Sequence, residues 1–274
     1  MLSELLDSDD TLIIPGVYDA LSALIARQVG FKALYMTGFG VAGSLLGKPD
    51  IGLVTASEMT ERARQIAAAA APLPVLADGD TGYGNDYNIE RLVNDYEQAG
   101  VQCIQLEDQV SPKRCGHMEN KQVVDIGQAA SRIAAAVRAR SSDRFLIMAR
   151  TDSRATHGLD EALRRGAAFL TAGADILFIE APVSVAELET IKQEFSDVPL
   201  VANLVEDGKT PLLTVAELRE LGYRIALRPI TALLAVARTL QESYRQISLD
   251  TPVSEADRLT FQAYNRLVGL DRYT

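Results

Sequence analysis

The sequence predicts a closed (β/α)₈ barrel carrying one extra helix near its C-terminal end. Short β-rich runs alternate with helical patterns along the chain, which implies a parallel sheet. About eight such units fit into roughly 250 residues, the size of a closed barrel. The open doubly wound alternative usually carries a glycine-rich phosphate turn after its first strand, and "PGVYDALSA" supplies none.

The strands are expected at "TLIIPG" (11–16), "KALYMT" (32–37), "LPVLAD" (73–78), "VQCIQLED" (101–108), "RFLIMAR" (144–150), "ADILFIE" (174–180), "PLVAN" (199–203) and "YRIAL" (223–227). Helix starts are marked by Thr55/Glu58, Ser184/Glu187 and Thr214/Glu217, whose Ser/Thr-x-x-Glu spacing caps a helix N-terminus reciprocally. Gly30, Gly100, Gly173 and Gly222 stand just before the next strand, where a helix-ending glycine belongs. Beyond the eighth unit, Ser254 and Asp257 suggest another cap, and Leu259, Ala263, Leu267 and Leu270 recur at helical spacing. A single domain over 1–274 is expected, with 254–270 as a helix that packs on its own barrel or on a neighbouring subunit.

Composition narrows the function. A formal charge of −10 argues against nucleic acid or anionic membranes as partners. No apolar run approaches the roughly 18–20 residues that span a bilayer. The opening "MLSELLDSDD" is acidic and lacks a small-residue cleavage site, so it does not read as a signal peptide. Two cysteines, Cys103 and Cys115, make a poor disulfide framework, and a cytoplasmic setting is expected. An anionic small molecule would need a locally positive site in so acidic a chain.

A barrel keeps its chemistry at the C-terminal ends of its strands. Polar residues there are Tyr35, Thr37, Asp78, Asp80, Glu107, Asp108, Arg150, Asp152, Glu180, Asn203 and Arg228. In "ADGDTGYG" two aspartates stand two apart, on one side of an extended chain. Such a pair is costly unless a cation or proton lies between them. Mg²⁺ suits those oxygens, whereas zinc lacks a His/Cys cluster; solvated aspartates in a glycine-rich turn are the alternative. Glu107 either reaches the ion through water or pairs with a base.

The stretch "SPKRCGHMENKQ" (111–122) places Cys115 and His117 among Lys113, Arg114 and Lys121. Cations favour a thiolate, so Cys115 reads either as a nucleophile or proton carrier on a closing loop, or as an inert thiol on an exposed basic loop. Cys103, inside an apolar strand, is expected in the core, and His157 as a polar loop residue. Arg150, ending a buried strand, suits a carboxylate or phosphate, or an internal pair with Glu180.

Taken together, "YMTGFGVAGSLLGKPD", "ADGDTGYG", "QLEDQVSPKRCGH", "ARTD" and "FIEAP" resemble, in order over about residues 11–240, the isocitrate lyase/phosphoenolpyruvate mutase superfamily. The resemblance implies a (β/α)₈ barrel using Mg²⁺, with Mn²⁺ as a substitute, and a dimer of dimers exchanging a C-terminal helix. It implies that Asp78 and Asp80 hold the metal, with Asp50 and Glu107 around it. Thr37, Gly38 and Phe39 would bind the substrate's carboxylate or oxyanion, and Arg150, Glu180 and Asn203 would line the pocket. The Lys-Arg-Cys-Gly-His loop resembles the carbon–carbon lyase and hydrolase branch. Cys115 would be the proton donor there, with Gly116 and His117 beside it and the loop's cations covering an anionic dicarboxylate.

The implied reaction is retro-aldol cleavage of a small 2-hydroxy dicarboxylate, with Tyr35 removing the hydroxyl proton and Cys115 protonating the departing fragment. Two departures bear on the substrate. Leu234 stands where methylisocitrate lyases typically carry an arginine for a third carboxylate. Pro229 stands where oxaloacetate hydrolases resemble a serine-bearing "HSLTA". A 2,3-dimethylmalate-type lyase is the reading that remains, with Arg228 expected to reach the pocket and partly replace the missing arginine. An oxaloacetate hydrolase and a non-catalytic dicarboxylate-binding barrel are the alternatives.

Overall fold

The computed structural model describes residues 1–116, 118 and 120–273. All eight expected strands form: β1 (Leu12–Val17), β2 (Leu34–Met36), β3 (Val75–Asp78), β4 (Cys103–Glu107), β5 (Leu146–Thr151), β6 (Ile176–Ile179), β7 (Val201–Asn203) and β8 (Ile225–Arg228). They pair in parallel in the order β6-β5-β4-β3-β2-β1-β8-β7. A parallel bridge between Leu177 and Leu200, just ahead of β7, joins the two ends. The result is a (β/α)₈ barrel.

Strand periodicity of two divides the core into two layers. Ile14, Tyr35, Leu76, Cys103, Met148, Phe178, Ile225 and Leu227 form one buried cluster inside the barrel. Their sequence neighbours Met36, Ala77, Ile104, Ala149, Leu177 and Ala226 belong to a second cluster, shared with the surrounding helices. Each Leu, Ile or Met so buried stabilises the fold by roughly 1.5–3 kcal/mol. The helices begin where the caps predict: Thr55 and Thr214 make reciprocal capping boxes, and Ser184 caps Val185–Glu194. Gly30 and Gly100 end their helices in the left-handed conformation (φ 102° and 90°) that a side chain would disfavour.

Two elements differ from expectation. A short N-terminal helix, Leu2–Leu6, sends Leu2 and Leu6 into the inner cluster and closes the barrel floor. Its apolar content is too brief to show a period. The C-terminal segment, expected as one helix over 254–270, is broken in two. Ser254 caps only a 3₁₀ turn, Glu255–Asp257, and Arg258 is extended. Thr260 then caps the helix Phe261–Leu267, so a second capping residue restarts what the apolar spacing had joined. No helix among the described residues is long and apolar enough to cross a membrane.

Candidate active site

The strand ends converge on a cavity of ≈ 260 Å³. Tyr35, Thr37, Asp78, Arg150, Glu180 and Asn203 line it from the barrel side, and Cys115, Gly116 and Met118 cover it from the loop after β4. Asp50, Lys113 and Phe39 also reach it, and Val205, Leu227, Pro229 and Ile230 add apolar surface to its lining beside Glu206, Asp207 and Gly208. Residues expected from the sequence at the ends of five different strands, and in the loop after a sixth, therefore meet in one place.

The acidic side is densely paired. Lys113 Nζ stands 2.6 Å from Asp50 Oδ1 and 2.8 Å from Asp80 Oδ1. Asp78 Oδ1 accepts from the Asp80 N–H at 3.0 Å and from Gln105 Nε2 at 3.1 Å. Its Oδ2 accepts from the Gly38 N–H at 3.2 Å. Tyr83 donates to Asp80 Oδ2 at 2.9 Å. Burial and then the neighbouring Asp80 charge push Asp78 up to about 6. Burial raises Asp50 against the pull of Lys113, and holds Glu107 well above the usual carboxylate range despite Arg150.

Glu107 Oε1 is buried without a hydrogen-bond partner among the described residues. Hard oxygens, buried and carrying more negative charge than Lys113 offsets, fit a hard divalent cation. In their present positions, no three acidic, histidine or cysteine side chains among the described residues stand close enough to ligate one.

Arg150 anchors the other side. Its Nε and Nη2 hold Asp152 at 3.0 and 3.1 Å. Nη2 reaches Glu180 at 3.1 Å, Nε lies 3.4 Å from Glu107, and the guanidinium lies over the Phe178 ring at 5.0 Å. Burial opposes its charge, but Asp152, Glu180 and Glu107 outweigh that and raise it well above its ordinary value. Arg150 is thus both a cavity residue and an internal ion pair, the two readings the sequence left open. Asn203 Nδ2 donates to both Glu180 oxygens at 3.3 and 3.0 Å, and so fixes that carboxylate.

The 111–122 loop lies closed over the cavity. Lys121 Nζ donates to Asp152 Oδ1 at 2.7 Å and to the Gly116 carbonyl. Gln109 pins Arg114 through two backbone contacts at 2.8 and 3.0 Å, and the Cys115 N–H donates to the Asp50 carbonyl at 3.2 Å. A Cβ on Gly116 would stand 2.2 Å from Arg150 Nη2 and 2.6 Å from Glu180 Oε2, so only glycine allows this approach. Cys115 is half-buried against the cavity. His117 lies outside the described residues.

Several expectations change. Burial and the Asp78 charge raise Tyr35 well above the ordinary phenol value, which opposes the proton-removing role the sequence reading gave it. The Gly38 N–H, expected on the substrate, donates to Asp78. Lys121, expected to cover the substrate, is buried in its pair with Asp152. Arg228 is absent from the cavity wall, although Leu227 and Pro229 are on it. It has the strand parity of Ala226, which faces the helix layer. Two other expectations hold: His157 is exposed and meets Thr156 Oγ1 at 2.7 Å, and Cys103 is buried in the barrel core.

Sequence reasoning missed Gln105, and it placed Asp152 at a strand end without foreseeing its pairs with Arg150 and Lys121. Gln105 carried a readable signal: it is a polar residue in the inward register of Cys103 and Glu107.

A sequence profile described as phosphoenolpyruvate phosphomutase matches residues 2–248. Over 99% of its length the chain is 45% identical to 2,3-dimethylmalate lyase of Eubacterium barkeri, covering 94% of that protein. Over 90% of its length it is 41% identical to 2-methylisocitrate lyase of Aeropyrum pernix, covering 79% of that protein. Among solved structures, oxaloacetate acetylhydrolase in complex with 3,3-difluorooxalacetate superimposes with a TM-score of 0.95 at 34% identity, over 99% of this chain and 93% of the other.

Proposed function

The chain belongs to the phosphoenolpyruvate mutase/isocitrate lyase superfamily, and from that premise we propose that it is a lyase of 2,3-dimethylmalate type. Such an enzyme cleaves a small 2-hydroxy dicarboxylate into a 2-oxo acid such as pyruvate and a second carboxylate. The observation that carries this reading is a half-buried thiol sharing one small cavity with a guanidinium and an acidic cluster. Val205, Leu227, Pro229 and Ile230 offer apolar surface to methyl groups, and the carboxylates of Glu206 and Asp207 beside them cannot pair with a third carboxylate. Leu234, at the position of the tricarboxylate arginine, is absent from the wall, and Pro229 has no hydroxyl for a hydrated ketone.

Asp78 and Asp80 would hold Mg²⁺, or Mn²⁺ in its place, with Glu107 acting through water and Asp50 beside them. The bound ion supplies fixed positive charge that acidifies the substrate's hydroxyl and steadies the oxygen as it becomes a carbonyl. The chain's own groups do the rest. Arg150, held in its carboxylate frame, meets the anionic end of the substrate without needing to reorganise. With the Tyr35 phenol kept protonated and able only to orient the hydroxyl in the ground state, the base that removes the hydroxyl proton as the bond breaks lies among the buried carboxylates around Lys113. As the carbon–carbon bond breaks, the electron pair stays on the departing fragment as an enediolate-like carbanion. Cys115, covering the cavity, gives that carbon its proton. The closed loop excludes water from the carbanion.

The test is turnover with Mg²⁺ on a panel of 2-hydroxy and 2-oxo diacids. Pyruvate release from 2,3-dimethylmalate is expected; oxalate and acetate from oxaloacetate would make the protein a hydrolase. Cys115→Ala should lower kcat by about 10²- to 10⁴-fold, the usual worth of a positioned proton donor, while calorimetry shows metal binding intact. Unchanged turnover in that variant would remove Cys115 as the acid.

The assembly is proposed as a dimer of dimers with exchanged C-terminal segments. The helix Thr231–Ser248 buries none of its residues, and Tyr244, Ile247 and Phe261 are 65%, 61% and 81% exposed.

A further inference from the structure

We propose that Gln105 sets the polarity of Tyr35. Its carbonyl accepts the phenol's hydrogen bond, so that Tyr35 turns a lone pair toward the cavity and accepts a hydrogen bond from the substrate's 2-hydroxyl. Both side chains belong to the inward register of the barrel, Tyr35 at 3% and Gln105 at 1% exposure. Tyr35 Oη stands 2.8 Å from Gln105 Oε1, and Gln105 Nε2 stands 3.1 Å from Asp78 Oδ1. Tyr35 lines the cavity; Gln105 does not.

The direction of this chain follows from donor and acceptor counting. Asp78 accepts from the Asp80 N–H, the Gly38 N–H and the Gln105 amide. A carboxylate is an acceptor only, so the amide has to turn its NH₂ toward Asp78. That leaves its carbonyl for Tyr35, and a carbonyl also only accepts. The single proton of the phenol is therefore committed downward to Gln105. Turning the amide over would set its carbonyl against Asp78. With the proton spent below, the phenol oxygen offers the cavity an acceptor. A substrate hydroxyl satisfies it; a ketone or ether oxygen at the same place does not.

This inference rests on the proposed 2-hydroxy dicarboxylate substrate. It makes Gln105 a positioning residue, acting through Tyr35, and assigns the site a preference for the hydroxyl over other substituents at C2.

The test compares dissociation constants of malate and 2-fluorosuccinate, measured by calorimetry with Mg²⁺ present. Fluorine has about the size of a hydroxyl but donates nothing. Wild-type protein should prefer malate, and roughly three- to tenfold of that preference should be the worth of the one hydrogen bond to Tyr35. Tyr35→Phe should cut the preference by that factor. Gln105→Met, which frees the phenol proton to swing into the cavity, should cut it to within about twofold of the Tyr35→Phe value. Gln105→Glu keeps an acceptor under Tyr35 but sets a second charge against Asp78. It should retain the malate preference while strengthening divalent-ion binding, a split that a merely structural role would not give.

A wild-type preference undiminished in folded Gln105→Met overturns the proposal. So does its loss in Gln105→Glu, which decides the matter if the methionine variant does not fold. Wild-type turnover of 2,3-dimethylmalate separates the two levels. Cleavage without a malate preference rejects the role of Gln105 and leaves the lyase; a preference without cleavage of any diacid does the reverse.

Discussion

Asp50, Asp78, Asp80 and Glu107 share their buried space with one lysine, and their protonation decides what that space can hold. Asp78 is pushed up to about 6 from an ordinary carboxylate value near 4. Between those values the folded chain binds a proton that the unfolded chain does not. By linkage this group's contribution to stability falls as pH rises through that window. A divalent ion has to displace the same proton. Affinity for Mg²⁺ or Mn²⁺, measured by calorimetry, should therefore climb by up to about tenfold per pH unit below about pH 6 and level off above it. A flat profile would remove Asp78 from the ion's ligands. The aspartate pair was legible because its spacing is local. The part played by Gln105 was not, since it depends on Tyr35 and Asp78 arriving from two other strands.

At the scale of elements, the loop after β4 is held shut at both ends by buried lysines, Lys113 on Asp50 and Asp80, and Lys121 on Asp152. Between them Gly116 packs directly on Arg150 and Glu180. Gly116→Ala should keep the loop from seating while leaving the barrel intact. We expect kcat to fall by about a hundredfold, the scale of an ångström-sized misplacement near the chemistry. Cys115 should alkylate faster with iodoacetamide, as a loop held open would allow. Unaltered alkylation would mean that the loop seats without this contact. The loop's proline, glycine and cations marked it as a lid in the sequence. Which carboxylate each lysine would meet was hidden, because Asp50 and Asp152 lie on distant segments. Strand parity explains the miss at Arg228: the strand end was read correctly, but its alternate face was not.

The whole molecule leaves one side unfinished. A long helix with no buried residue and a C-terminal segment with exposed Phe261 and Tyr264 are ill suited to water. That segment touches its own barrel through the Leu267 carbonyl, which accepts from Gln28 at 3.1 Å. Truncation after Asp250 should lower the oligomeric state seen by light scattering, while far-UV circular dichroism shows the barrel retained. A truncated chain of unchanged assembly would place the interface elsewhere.

By itself the sequence determined the βα alternation, the helix caps, the acidic pair and the reactive loop, because each is written in residues a few positions apart. Only the tertiary structure decided that Lys113 and Lys121 are buried latches, that Tyr35 rests on Gln105, and that Val205, Leu227, Pro229 and Ile230 meet at one cavity. Those outcomes depend on which inward-facing side chains the closed barrel brings together from separate strands, and contacts of that kind leave no local period to read.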